Sequence, residues 1–258
     1  MSVSIKTIIV SLWFCSLVLA SFSSFASLAD TVEKIKPSVV GVGTMQITRR
    51  PPAQLMGTGF VVADGKHIIT NAHVIPEELD VGRNEQLVVF IGVGKDAITR
   101  TVELIKRDRV HDLALLKMDF RMPPMQLGDV SKVREGNLYA FTGFPIGAVL
   151  GLYPVTHRGI VSTISPIVIP VNSTKNLDAT MIRRLKDPYK VFQLDATAYP
   201  GNSGSAVYDA ETGEVIGVIN KVFVKETKEK VLENPSGITY AIPVNHVKDL
   251  LKSAGVKF

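Results

Sequence analysis

The stretch Gly201-Asn202-Ser203-Gly204-Ser205 places a serine between two glycines in the C-terminal third of the chain. Taken alone, such a stretch is most often a surface turn. Two upstream motifs, Thr70-Asn71-Ala72-His73 and His111-Asp112-Leu113-Ala114, favour a chemical role, because a nucleophilic serine needs a base to accept its proton and an acid to orient that base. The sequence therefore predicts Ser203 as the nucleophile, His73 as the base and Asp112 as the orienting acid.

The glycines beside this serine suggest how a reacting carbonyl oxygen would be held. Gly201 and Gly204 suit a tight turn, because glycine adopts backbone conformations that other residues avoid. Such a turn can direct two backbone N–H groups at one point. We therefore predict that the N–H groups of Gly201 and Ser203 form an oxyanion hole, which stabilises the charged oxygen that develops during attack on a carbonyl.

Composition limits the other classes of function. The chain has 258 residues, of which 46% are apolar and 21% charged, with a net charge of +5. This is an ordinary globular composition, sufficient for one large domain or two small ones. Positive charge is not interleaved with aromatic residues in a stripe, so we expect no nucleic-acid partner.

Metal binding is not predicted either. His67, His157 and His246 are scattered and lack the spacing of metal ligands, so surface or packing roles are expected for them. His111 is expected to point away from Asp112 and to be structural. The sequence therefore predicts no metal ion and no other cofactor.

Residues 1–29 have the features of a secretory signal peptide. Lys6 precedes an apolar run over residues 7–20, and small residues before Ala26 and Ala29 provide two cleavage sites. The alternative is an uncleaved membrane anchor, because the apolar run can be extended to about the twenty residues that a span needs. The single cysteine lies inside this segment, so the exported chain would have no disulfide, which suits a bacterial periplasm or secreted protein.

The rest of the chain is predicted to be rich in β-strands. Short apolar runs separated by turn residues recur from residue 38 to 165, with a linker near residues 121–136. Helical spacing is confined to Asp30–Lys36 and to 244–254, where Gly255 is a predicted C-terminal cap. The basic segment 173–190 is interpreted either as a solvated surface loop or as a regulatory or substrate-facing loop.

These motifs together are similar to those of the HtrA (Deg) branch of the chymotrypsin-like serine proteases. The resemblance runs from about residue 30 to 245 and includes eight segments in the right order: Gly57-Thr58-Gly59-Phe60, Thr70-Asn71-Ala72-His73-Val74, Asp112-Leu113-Ala114-Leu115-Leu116-Lys117, Gly159-Ile160-Val161-Ser162, Gln193-Leu194-Asp195-Ala196, Gly201-Asn202-Ser203-Gly204, Val215-Ile216-Gly217 and Tyr240-Ala241-Ile242-Pro243. It implies an all-β fold of two six-stranded antiparallel β-barrels with a short C-terminal helix. The barrels would cover about 30–130 and 131–245 within a protease domain of residues 30–258.

The chain departs from the HtrA pattern in several places. It leaves no room for a C-terminal PDZ domain, so we expect no peptide-gated activation through one. Ser205 follows Ser203-Gly204 where the family commonly has glycine, as in glutamyl endopeptidases, but Ile219 stands where those enzymes place a histidine. Tyr199 replaces a frequent asparagine. The family resemblance implies a homotrimer, but the mature N-terminus lacks the aromatic residues that often hold such trimers together.

The resemblance also implies a substrate pocket. Thr197 stands six residues before the nucleophile, where pancreatic trypsins carry aspartate, and Ala198 and Ile219 would make the pocket small and apolar. A buried cation without a counter-charge is costly there, so we expect cleavage after small aliphatic residues. Asn202 replaces the aspartate that pairs with a newly freed N-terminus when zymogens are activated. We therefore expect no activation by cleavage of the N-terminus.

We therefore predict an exported serine endopeptidase acting on polypeptides, with unfolded or misfolded proteins as the substrates that the resemblance implies. Two alternatives remain open from the sequence. One is a secreted protease with a single dedicated protein target, to which the basic segment would contribute. The other is a catalytically weak protease-fold protein that binds peptides or a partner.

Overall fold

The computed structural model describes residues 27–145, 151–167, 188–220 and 237–258. The predicted signal peptide up to residue 26 and most of the basic segment 173–190 lie outside these residues. No helix in the described part of the chain is long and apolar enough to cross a membrane.

A seven-stranded antiparallel sheet occupies the first half of the molecule, in the order β5-β4-β1-β2-β3-β7-β6. The strands are β1 Val39–Met45, β2 Ala53–Val62, β3 His67–Asn71, β4 Gln86–Ile91, β5 Ile98–Thr101, β6 Glu103–Asp108 and β7 Leu113–Lys117. The sequence predicts one continuous strand from Ala97 to Lys106. The structure divides it at Val102, whose N–H donates to the carbonyl oxygen of Leu87 at 3.0 Å. The first unit is thus barrel-like but open, with seven strands instead of the expected six.

The second unit is a closed barrel of six strands, in the order β10-β13-β12-β11-β8-β9. Its strands are β8 Leu138–Gly143, β9 Val155–Pro166, β10 Lys190–Asp195, β11 Ala206–Asp209, β12 Val215–Asn220 and β13 Ile238–Pro243. All neighbouring strands are antiparallel. The prediction of an all-β, two-barrel architecture is confirmed.

The apolar runs in the first sheet are continuous because the strands bury both faces. In β7, Leu113 and Leu115 belong to one core cluster, whereas Ala114 and Leu116 belong to another. Successive side chains of a strand point to opposite faces, so alternate residues enter different cores. One cluster fills the inside of the first sheet, a second fills the closed barrel, and the third joins the two units to each other.

Within the ranges that the structure describes, two α-helices frame the strands: α1 Leu28–Ile35 and α2 Val244–Ser253. Helix α1 begins two residues before the predicted start, because Ser27 and Asp30 form a reciprocal capping box. Helix α2 ends close to the predicted boundary, and Gly255 has a φ of 74° as expected of a C-terminal cap. Four apolar side chains of α2 are buried in the cluster that joins the two units: Val244, Val247, Leu250 and Leu251.

Candidate active site

Two paired strands bring His73 and Asp112 together. Asn71, the last residue of β3, is paired with Leu113, the first residue of β7. His73 lies in the short 3-10 helix that follows β3, and Asp112 immediately precedes β7. The His73 Nδ1 atom lies 2.6 Å from Asp112 Oδ2, and the His73 backbone N–H donates to Asp112 Oδ1 at 2.9 Å. The predicted base and orienting acid therefore form a two-point contact.

Asp112 is buried and is held by further contacts that the sequence does not predict. Its side chain also accepts a hydrogen bond from Asn220 Nδ2 at 2.8 Å, across from the closed barrel. Its carbonyl oxygen accepts from Ala72 N–H at 3.1 Å and from Asn71 Nδ2 at 3.0 Å. Its φ of 53° is in the left-handed region, which residues other than glycine rarely adopt. A residue in this conformation needs supporting contacts of this kind.

The loop that carries Ser203 starts with a tight turn. Asn202 N–H donates to the carbonyl oxygen of Tyr199 at 3.0 Å, and Gly201 between them has a φ of 101°. Proline at the second position of a turn and a positive-φ glycine at the third are features of a type II turn, and Pro200-Gly201 meets both. The predicted tight turn is thus present.

Thr58 of β2 ties this loop to the first sheet. Its backbone N–H donates to the carbonyl oxygen of Ser203 at 2.9 Å, and its hydroxyl donates to the carbonyl oxygen of Gly201 at 2.7 Å. The same hydroxyl accepts from Phe144 N–H at 3.0 Å. A Cβ on Gly204, whose φ is 89°, would come within 2.0 Å of the Thr58 carbonyl oxygen, so only glycine fits at this approach. Thr58 is fully buried and joins both units at the nucleophile loop.

The side chains on either side of Ser203 point towards Gly143 at the end of β8. A Cβ on Gly143 would lie 2.1 Å from Ser205 Oγ and 2.9 Å from Asn202 Oδ1. Both side chains are fully buried, and among the described residues neither has a hydrogen-bond partner. Ser205, which the sequence leaves unexplained, thus occupies space that the missing side chain of Gly143 leaves open.

The predicted oxyanion-hole donors are not used elsewhere in the described structure. Asn202, Gly204 and Ser205 each donate a backbone N–H to a carbonyl oxygen, whereas Gly201 and Ser203 donate to none of the described carbonyls. No hydrogen bond between Ser203 Oγ and His73 is formed in the described part of the chain. The structure thus brings His73 and Asp112 into contact and fixes the Ser203 loop by its backbone.

The three predicted pocket residues flank the same loop. Ile219 of β12 accepts from Gly204 N–H at 3.0 Å and donates its own N–H to Ser205 at 2.9 Å. Ile219 and Ala198 are both buried in the core cluster of the closed barrel. Thr197 is half-buried and precedes Ala198 in the chain. None of these three residues carries a charge.

The remaining histidines contact neighbouring side chains. His157 stacks on Phe141, with ring centroids 4.9 Å apart, and burial lowers the pKa of its imidazole. His67 lies 2.8 Å from Asp64 Oδ1 through its Nδ1 atom. His111 and His246, far apart in sequence, stack on each other at 3.9 Å. In the described ranges, no three His, Cys, Asp or Glu side chains are grouped so that they would hold a metal ion.

The model of the family described as "Trypsin-like peptidase domain" matches residues 57–218, which include His73, Asp112 and Ser203. The chain belongs to this family. The HtrA resemblance is also confirmed, because the similar proteins are HtrA-type serine proteases.

Among curated relatives, the chain is 32% identical over 204 residues to a "Serine protease HtrA-like" of Staphylococcus epidermidis, covering 76% of this chain and 30% of that protein. It is 30% identical over 232 residues to "Serine protease HTRA4" of Homo sapiens, covering 87% of this chain and 40% of that protein. Among solved structures, "HtrA-type protease AlgW with tripeptide" superposes with a TM-score of 0.62 at 26% identity, covering 88% of this chain and 63% of that one. The chain therefore spans less than half the length of these curated relatives.

Three contacts of this trypsin-like peptidase domain were missed by sequence reasoning. Thr58 is part of one segment that resembles the HtrA pattern, whereas Asn220 and Gly143 lie outside all eight segments. A signal existed for Thr58, since a polar residue between two glycines in an otherwise apolar strand is unusual. Neither Asn220 nor Gly143 carries such a local signal.

Proposed function

We propose that the chain is a serine endopeptidase in which Ser203, His73 and Asp112 act as nucleophile, general base and orienting acid. The observation that carries the proposal is the 2.6 Å contact between His73 Nδ1 and buried Asp112. A carboxylate only accepts hydrogen bonds, so the Nδ1 proton points to Asp112 and the Nε2 lone pair is left for the proton of Ser203. The imidazolium formed during attack would then be stabilised by Asp112 and would return its proton to the leaving amine.

The charged oxygen of the tetrahedral intermediate would be held by backbone groups. Gly201 and Ser203 supply two N–H donors on either side of Asn202, whose own N–H is engaged within the turn. The Thr58 hydroxyl holds the carbonyl oxygen of Gly201 on the other side of the turn. This contact holds the peptide group between Gly201 and Asn202 and so helps to fix the turn that carries the two donors. Preorganised donors lower the barrier without reorganisation during the reaction.

We infer that the residue before the cut is small and aliphatic. Ala198 and Ile219 are apolar and buried beside the nucleophile loop, and Thr197 supplies no charge. A lysine or glutamate side chain would lose its hydration there without gaining a counter-charge. A peptide library is expected to show cleavage after valine, alanine or isoleucine, and cleavage mainly after basic or acidic residues would contradict this pocket.

We further propose that the substrates are unfolded or misfolded polypeptides and that the protein acts outside the cytoplasm. Support comes from the sequence of residues 1–29 and from relatives such as the "Probable periplasmic serine endoprotease DegP-like" of Halomonas elongata, 28% identical over 196 residues. Degradation of casein but not of the same concentration of a compact, folded protein would support the substrate class.

The catalytic assignment is tested by a fluorophosphonate probe, which reacts covalently with an activated serine. Wild-type protein is expected to be labelled, and Ser203→Ala is expected to abolish labelling while leaving the unfolding transition in place. His73→Ala is expected to slow labelling strongly, because the nucleophile would lose its base. Labelling that survives Ser203→Ala, or a wild type that is folded and never labelled, would overturn the proposal.

A further inference from the structure

Four side chains outside the proposed triad form a cluster beside the catalytic aspartate. They are Asp108 at the end of β6, His111 in the turn before β7, Tyr189 just before β10, and His246 in α2. His111 is the chain neighbour of Asp112. The cluster therefore joins the turn that presents Asp112 to the closed barrel and to the C-terminal helix.

Asp108 fixes the backbone of the turn. Its Oδ1 atom accepts the backbone N–H groups of Val110 at 3.0 Å and His111 at 3.1 Å, and its Oδ2 atom lies 2.6 Å from His111 Nδ1. Burial raises the pKa of the Asp108 carboxyl, but the hydrogen bonds from His111 outweigh this and leave the pKa lower than that of an ordinary aspartate. Three contacts thus converge on the Asp108 carboxylate and hold the turn that leads into Asp112.

Two rings hold His111 from the other unit. The imidazoles of His111 and His246 stack with centroids 3.9 Å apart and planes 20° apart. The Tyr189 ring meets both at an edge, 4.8 Å from His111 and 5.1 Å from His246. Burial, and then the proximity of His111, lower the pKa of His246 to about 4. At neutral pH its ring is uncharged and can lie against the neighbouring imidazole without repulsion.

The position of Asp112 explains why such support matters. With a φ of 53°, its backbone is in a conformation that costs free energy and persists only when its surroundings hold it. Asn71 and Ala72 hold the carbonyl side of Asp112. The Asp108 cluster holds the residue on its amino side. Releasing either side would allow the carboxylate to move relative to His73.

We propose that Asp108, His111 and His246 are positioning residues that hold the catalytic Asp112, so that the terminal helix α2 contributes to the reaction through ring stacking. This inference rests on the proposed function, since it assigns a role to Asp112 within the triad. A shift of about 1 Å in a catalytic group can cost roughly 100-fold in rate. The effect is therefore expected in the maximal rate and not in the affinity for the probe.

The experiment compares His111→Ala, His246→Ala and His246→Phe in the full chain. Fluorophosphonate labelling is resolved into a maximal rate and a probe affinity. His111→Ala is expected to lower the maximal rate roughly 10- to 100-fold with little change in affinity. His246→Ala should act in the same direction by a smaller factor, and His246→Phe should restore most of the rate because it keeps a flat ring.

His67→Ala is the matched control. Like His111, His67 contacts an aspartate three residues earlier in the chain: its Nδ1 atom lies 2.8 Å from Asp64 Oδ1. His67 lies at the start of β3, however, away from the end that leads to His73. Its loss is expected to affect the unfolding midpoint and to leave the maximal labelling rate unchanged.

Equal labelling rates for His111→Ala, His67→Ala and the wild type would overturn the positioning role, as would a His246→Phe variant as slow as His246→Ala. If His111→Ala does not fold, the comparison of the two His246 variants decides alone. A wild type without Ser203-dependent labelling would instead refute the proposed function, so the two failures are distinguishable.

Discussion

At the scale of single residues, side chains that are distant in the chain support the proposed triad. Ser203, His73 and Asp112 each lie in a short local motif. The hydroxyl of Thr58 instead meets the Gly201 carbonyl oxygen across 143 residues of chain, and the Asn220 contact to Asp112 crosses 108 residues. Contacts between residues so far apart in the chain depend on how the two β units pack together. The apolar and polar pattern of a single strand does not predict that packing.

Thr58→Val tests the contact between the first sheet and the nucleophile loop. The substitution keeps the shape but removes the hydroxyl, which leaves the Gly201 carbonyl oxygen and Phe144 N–H without this partner. We expect a loss of roughly 1–3 kcal/mol in the free energy of unfolding and slower fluorophosphonate labelling. Thr58→Ser, which keeps the hydroxyl, should retain most of both. Urea unfolding and labelling kinetics measure them, and equal behaviour of the two variants would contradict the role of the hydroxyl.

Gly143→Ala tests the packing of the nucleophile loop on β8. The new methyl group would meet Ser205 Oγ at 2.1 Å and Thr58 Oγ1 at 2.8 Å. Overpacking of this kind typically costs about 1–3 kcal/mol, so we expect a lower free energy of unfolding and slower labelling. A second substitution, Ser205→Ala, removes the tightest contact and should recover part of the loss. Gly237→Ala, where no atom lies within 4 Å of the new Cβ, is the control. No recovery in the double variant would show that Ser205 does not set this constraint.

At the scale of elements, the sequence located most strands and both α-helices of the described part of the chain, and the errors have physical causes. The apolar pattern from residue 97 to 106 gives no sign of the break at Val102, because the chain changes partner from β4 to β7 without a turn residue. The start of α1 was missed although the signal was present. Ser27 and Asp30 have the spacing of a capping box. Ser27 lies within the predicted signal peptide, however, so the sequence predicts a helix that starts only at Asp30.

Helix α1 favours one of the two predicted cleavage sites. Cleavage after Ala29 would remove the capping residue Ser27 and also Leu28, which packs against the core cluster between the units. Cleavage after Ala26 leaves the cap intact, and such a cap contributes about 1 kcal/mol. We therefore expect the exported protein to begin at Ser27, as measured by the intact mass of protein recovered from the periplasm or medium. A mass that corresponds to a start at Asp30, or an uncleaved chain, would contradict this.

At the scale of the whole molecule, the resemblance to HtrA proteases implied the two-barrel architecture, but it did not indicate the importance of the junction between the units. Helix α2 was predicted from its spacing and assigned no role. In the structure it buries apolar side chains in the cluster between the units and places His246 against His111 of the first unit. The active site, the helix and the junction are therefore parts of one packed region, and the stability of the fold there should depend on the charge of His246.

The stability of the protein is expected to depend on pH through His246. Burial, followed by the proximity of His111, lowers the pKa of His246 to about 4, against a partial opposing effect of Asp249 and Asp108. In the unfolded chain a histidine titrates near 6.5. Between these values the unfolded state binds more protons than the native state, so the stabilisation present above pH 6.5 is lost as the pH falls towards 4. Burial also lowers the pKa of His157, so His157 contributes to the same loss of stability on acidification.

The contribution of His246 is isolated by comparing the wild type with His246→Phe. Urea unfolding at several pH values between 7 and 4 gives the free energy of unfolding for both proteins. His157 contributes equally to both and cancels in the difference. We expect the free energy of unfolding of the wild type to fall more steeply on acidification, with the two proteins diverging below pH 6.5. The difference between the two slopes against pH should correspond to at most about one bound proton. Parallel pH profiles would show that His246 does not titrate differently in the folded and unfolded states, and that the stack with His111 tolerates a charge.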